Sequence, residues 1–228
     1  MLGWAHLMLD QREPALAALA EAERQRPGSI GGLAMMVRFG GANMLPRGRF
    51  PSMAVFEIMQ QGLARGREGR LQAMAKLERI AAEQPQPPAF HYLWGLLHLV
   101  SVGGDPTELE RSCARFDKVL ELDPTHAWSH AACARGMIQA GKLEPALGRM
   151  DRALALAPND PLMHAMYGEV LLHGRQVQAA VTRLQDAERA FPDNPIVSAY
   201  LAQALAAAGD RAAAEAAARR AEAKARQN

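Results

Sequence analysis

Residues 161–194 read PLMHAMYGEVLLHGRQVQAAVTRLQDAERAFPDN, and this stretch decides the architecture. Its apolar and small residues fall into two sets at helical spacing: His164, Tyr167, Gly168 and Leu171, then Ala180, Leu184 and Ala187. Residues three and four apart share one face of a helix, so each set marks an amphipathic helix with one side to bury. Small residues at Gly168 and Ala180 let the two helices approach closely, and Pro192 ends the second.

The pattern returns along the chain. Pro124, Pro158 and Pro192 are 34 residues apart and close Leu122-Asp-Pro, Leu156-Ala-Pro and Ala190-Phe-Pro. A fixed period of this length marks stacked helical repeats. The unit 127–160 carries the same positions as His130, Cys133, Ala134, Met137, Ala146, Met150, Ala153 and Pro158, with a turn at Gly141–Pro145. The unit 195–228 supplies Ser198, Leu201, Ala202, Leu205, Ala214, Ala218 and Ala221 around a turn at Gly209-Asp210, and its second helix serves as the cap.

Upstream, 88–126 fits with a longer turn at Ser101–Pro106, and 53–87 fits with a turn through Arg65–Gly69. Residues 1–27 form a partial repeat, with Glu13-Pro14-Ala15 in the register of Glu144-Pro145-Ala146. Residues 28–52 break the period as an irregular helical insertion. Residues 28–50 within it hold six glycines, three methionines and three arginines.

These units resemble the tetratricopeptide repeat, whose apolar or small positions are 4, 7, 8, 11, 20, 24, 27 and 32 of 34. The resemblance implies an all-α fold, a right-handed superhelix of stacked antiparallel helix pairs, with 1–228 as a single solenoid. In this family the first helices line a concave groove through positions 2, 5, 9, 12 and 13. Here those positions offer Tyr92, Leu96, Leu99, Trp128, Arg135, Ile138, Leu162, Glu169, Leu172, His173 and Gln203. Contiguous apolar surface of that kind marks a partner site, unless neighbouring repeats cover it. The Lys and Asn residues with which some relatives grip a C-terminal carboxylate are missing: positions 5 are Tyr92, Ala131, Ala165 and Ala199.

Composition agrees with a helical binding module. Hydrophobic residues make up 49% and aromatics only 5%, the apolar part being mostly Ala, Leu and Met, which favours helix over sheet. With 26 basic and 24 acidic side chains the formal net charge is +2, no electrostatic reason to expect nucleic acid or an anionic membrane as partner. No run approaches the ~18 apolar residues of a membrane span. The expected location is cytoplasmic, or periplasmic if an upstream segment belongs to the chain. Cys113 and Cys133 read as buried free thiols.

His91, His130 and His164 recur at position 4, where the family packs a tryptophan between helices. They read as packed, hydrogen-bonded imidazoles, and no metal or other cofactor is expected. No nucleophile elbow, phosphate loop or carboxylate pair with a plausible base is present, so no enzyme activity is expected. The function read from the chain is a non-enzymatic scaffold or adaptor holding a protein or peptide segment. The alternative is an accessory region of a larger enzyme or cell-envelope assembly protein, positioning substrate for chemistry elsewhere.

Overall fold

The computed structural model describes residues 44–48, 51–101 and 105–226. Among them are ten α-helices and no strand: α1 (Met53–Ala64), α2 (Gly66–Glu83), α3 (Pro88–Ser101), α4 (Pro106–Leu122), α5 (Ala127–Gln139), α6 (Leu143–Leu156), α7 (Pro161–His173), α8 (Val177–Ala190), α9 (Pro195–Ala207) and α10 (Arg211–Ala225). The partial repeat at 1–27 and residues 102–104 of the long turn lie outside the described residues, as does the insertion apart from 44–48 and 51–52. The chain divides into two compact units, Met1–Ser129 and His130–Asn228, with the boundary inside α5.

Local chemistry sets the helix ends. Asp105, Asp160 and Asn194 each accept a backbone N–H of the first turn, and each is followed by a proline at the first helical position. The cap satisfies an orphan donor, while proline lacks one and has its φ already set. The second helices α4, α6 and α8 stop two residues before Pro124, Pro158 and Pro192. The N–H of Asp123, Ala157 and Phe191 reaches back to Val119, Ala153 and Ala187. The 34-residue proline period therefore marks the turn after each pair.

Consecutive helices pack as hairpins. In the first unit α1 packs on α2 and α3 on α4; in the second α7 packs on α8 and α9 on α10, with α6 against α7 and α8 against α9. Glycine makes the closest approaches possible. A Cβ on Gly95 would meet the Phe116 ring at 2.7 Å, and one on Gly168 would meet Leu184 at 2.6 Å. The core residues are those of the repeat positions, among them Phe116, Val119, Met150, Ala153, Leu184, Ala187 and Leu201.

The turn expected through Arg65–Gly69 is shorter than the sequence suggested. Arg65 alone separates α1 from α2, and Gly66 takes φ +67° as α2 begins. Gly62 and Gly69 permit this tight hairpin, since a Cβ on Gly62 would fall 2.6 Å from that of Ala73. No described helix is long and apolar enough to cross a membrane.

Candidate protein-binding face

In the second unit the first helices and second helices differ sharply in chemistry. The sequence of α7 holds one charged residue, Glu169, and that of α9 holds none, whereas α6 and α8 hold four each and α10 holds six. Apolar character around the whole circumference is more than a helix needs in order to bury one side. The few polar groups on this face are joined. Arg135 lies 3.6 Å from the Glu169 carboxylate, and the Tyr200 hydroxyl donates to the same carboxylate at 3.3 Å. His173 Nδ1–H donates to the Glu169 carbonyl at 2.9 Å. Burial raises the Tyr200 phenol above its ordinary value, and the negative Glu169 adds to the effect.

Exposure divides the sequence-predicted groove residues. Arg135, His173 and Gln203 are exposed, and Leu96, Leu99, Leu162, Glu169 and Leu172 are half-buried. Tyr92, Trp128 and Ile138 are buried, at 1%, 5% and 8% exposure. The aromatic lining expected from repeat register is thus core in this structure. Tyr92 explains why: its ring meets His126 edge-on at 5.0 Å and Phe116 at 5.7 Å. In the second unit solvent reaches Arg135, His173 and Gln203 fully and Leu162 and Leu172 in part.

The first unit shows a feature that sequence reasoning missed. Residues 44–48, Met-Leu-Pro-Arg-Gly, form a strap outside the α-helices, across the starts of two first helices. Gly48 lies beside Pro88 at the start of α3, where a Cβ would come within 3.7 Å of Pro88 Cδ. At the turn before α5, the Arg47 N–H donates to Asp123 Oδ2 at 2.8 Å, and His126 Nε2–H donates to the Met44 carbonyl at 3.2 Å. His126 Nδ1 then accepts from Ser129 Oγ at 2.8 Å, which sets the tautomer. Leu45 and Pro46 are buried between these anchors. Burial pushes the Asp123 carboxyl up, but the Arg47 N–H, the Thr125 hydroxyl and N–H, and His126 together hold it below its ordinary value. No periodic signal reports such a strap, because its bonds join residues 76 and 82 apart.

The histidines serve packing. His91 is buried, and burial with help from Arg115 and Lys118 lowers its pKa to about 4. Its Nδ1 has no hydrogen-bond partner among the described residues, which corrects the expectation of a bonded imidazole there. His98 Nδ1–H bonds Glu108 at 2.7 Å, yet burial still carries its pKa down. His164 is only half-buried and bonds the Pro158 carbonyl at 2.8 Å. Among the described residues no three His, Cys, Asp or Glu groups gather where they could hold a metal. Cys113 and Cys133 are both disulfide-bonded, which overturns the expectation of free thiols.

One pair has the geometry of a nucleophile and base: Lys224 Nζ donates to Ser198 Oγ at 2.7 Å. Ser198, however, is fully buried and gives its proton to Glu188, which also receives Arg220 through two bonds at 2.8 and 3.1 Å. This cluster ties α8, α9 and α10 together and presents no oxygen to a substrate.

The repeat geometry has clear relatives. The tetratricopeptide repeat family model matches residues 110–170. Residues 110–170 thus match tetratricopeptide repeats, and the described helices share that fold. The structure of MamA, residues 41 to the end, from Desulfovibrio magneticus RS-1 is 21% identical, covers 77% of this chain and 95% of that one, and superposes with a TM-score of 0.55. TTC0263, a thermophilic TPR protein in Thermus thermophilus, is 18% identical over 76% of this chain and 93% of its own, with a TM-score of 0.57. At these identities the likeness is one of fold. No curated protein matches. Arg135, Glu169 and Gln203 stand 34 residues apart in the sequence, and the first two approach each other at 3.6 Å.

Proposed function

We propose that this protein is a non-enzymatic scaffold that holds a segment of another protein against its first-helix face. The observation that carries this is the separation of charge in the second unit: α7 and α9 carry one charged residue between them, while every second helix there carries four or more. A surface left uncharged while its neighbours are charged is suited to burial against a partner, with Arg135, Glu169 and Gln203 fixing orientation. The test is photo-crosslinking in the native cell with benzoylphenylalanine at 135, 173 or 203, compared with 152 or 189 on second helices. The reading requires a discrete adduct from the first-helix positions alone. Adducts of equal yield from positions 152 and 189 would sink it.

The alternative of a part in cell-envelope assembly is favoured by the state of the cysteines. Disulfides persist in oxidising compartments and are rare in the cytosol. The bonded state of Cys113 and Cys133 therefore supports a location outside the reducing cytoplasm.

A further inference from the structure

We infer that the strap Met44–Gly48 is a ligand held in cis. It occupies a peptide-docking site on the first unit, and a partner segment of the same chemistry binds by displacing it. This rests on the scaffold reading above but concerns a different place on the chain. The site is anchored by Asp123 and His126 in the turn before α5, with the Tyr92 ring edge-on to His126 at 5.0 Å. A repeat surface recognises an extended segment by offering side chains to its main chain and a pocket to its side chains. Here both are seen. His126 donates to one strap carbonyl and Asp123 accepts one strap N–H, while Leu45 and Pro46 between them are buried.

A second observation points the same way. Tyr92 stands at a register position that the repeat pattern turns toward a groove, yet it is buried, its ring against the His126 that holds the strap.

The strap itself defines the partner. It is a short, non-helical protein segment with a large apolar residue followed by proline. A carbonyl precedes that pair by one residue and a free N–H follows it. Proline suits this role because its fixed φ lowers the cost of ordering the segment. Between the two anchors, the proline nitrogen has no proton to leave unsatisfied.

The test uses the full chain and a fluorescein-labelled peptide of residues 43–50, NMLPRGRF. Leu45→Ser and Arg47→Pro each open the strap, the first by removing its apolar anchor and the second by removing the N–H that Asp123 accepts. Fluorescence anisotropy should show the opened proteins binding the peptide at least tenfold more tightly than the unaltered chain. A peptide methylated on the Arg47 nitrogen should lose that gain. Equal binding by opened and unaltered proteins of the same helix content, or indifference to the methyl group, overturns the inference. Should both variants lose helix content, the Arg47 amide resonance of the unaltered protein decides the matter. It shifts when millimolar peptide displaces the strap, and an unmoved resonance refutes the idea. First-helix cross-links that persist after such a refutation would leave the scaffold reading standing.

Discussion

Two glycines inside helices of the second unit should respond to alanine with opposite signs. Gly168 lies in α7 and Gly148 in α6, so both positions gain about 0.8–1.0 kcal/mol of helix propensity when glycine becomes alanine. Their surroundings differ. A Cβ on Gly148 meets nothing within 4 Å. A Cβ on Gly168 would sit 2.6 Å from Leu184 Cδ1 and Cγ and 2.7 Å from its Cδ2. Carbon atoms pack best at roughly 3.5–4.0 Å, so the new methyl overlaps the whole end of that side chain by about 1 Å.

Leu184 has nowhere to swing, being fully buried. Forcing a methyl into a filled core costs about 1–3 kcal/mol. Propensity cancels when the two variants are compared, so their difference isolates the packing cost. Urea unfolding followed by helical circular dichroism should raise the midpoint for Gly148→Ala and lower it for Gly168→Ala. With a slope of about 2 kcal/mol/M, the two midpoints should part by roughly 0.5–1.5 M. If Gly168→Ala raises the midpoint as far as Gly148→Ala does, the close approach of α7 and α8 is not what position 168 requires.

Other outcomes follow from particular residues. Arg175 takes φ +61° where the equivalent turns place Gly141 and Gly209, and Arg175→Gly should stabilise by about 1 kcal/mol in thermal melts. A midpoint unchanged or lowered would show that the left-handed residue carries no strain. The lowered pKa of His91 means that the folded state resists protonation, so its contribution is present above pH 6.5 and is lost as pH falls toward 4. His91→Phe should lose less stability across that window than the unaltered chain. Burial raises the Glu188 carboxyl, but Arg220 and Ser198, with Lys224, outweigh it and hold it low; its stabilisation is present above pH 4.5 and is lost as pH falls through the lowered value. Glu188→Gln should flatten the acid limb of a pH titration of stability, and an unchanged limb would exclude the cluster as its source. Denatured protein should show no reactive thiol in a maleimide mass assay before reduction and two after it; labelling before reduction would contradict the bonded state of Cys113 and Cys133.

The order of helices was legible in residues 127–222 because each pair repeats the same local instructions at one period. A cap and proline start α7 and α9, small residues sit where the pairs approach, and a proline follows α6 and α8. Each of these acts within a few residues, so linear spacing suffices to read it. Gly168 was legible as a close-approach position for the same reason. The short hairpin at Arg65 was not, because its length depends on Gly62 and Gly69 facing each other across the turn.

What the sequence by itself determined is therefore the helical repeat, its register and the apolar character of its first helices. Tertiary structure alone decided which of those residues meet solvent. Register assigns Tyr92 and Trp128 to a face, but burial depends on what the rest of the chain lays against them. His126 edge-on to Tyr92, and Met44 and Arg47 bonded to His126 and Asp123, come together only on folding. A contact between residues 76 or 82 apart has no period to announce it. The same holds for Glu169, which spacing placed among the groove residues and folding joined to Arg135 and Tyr200.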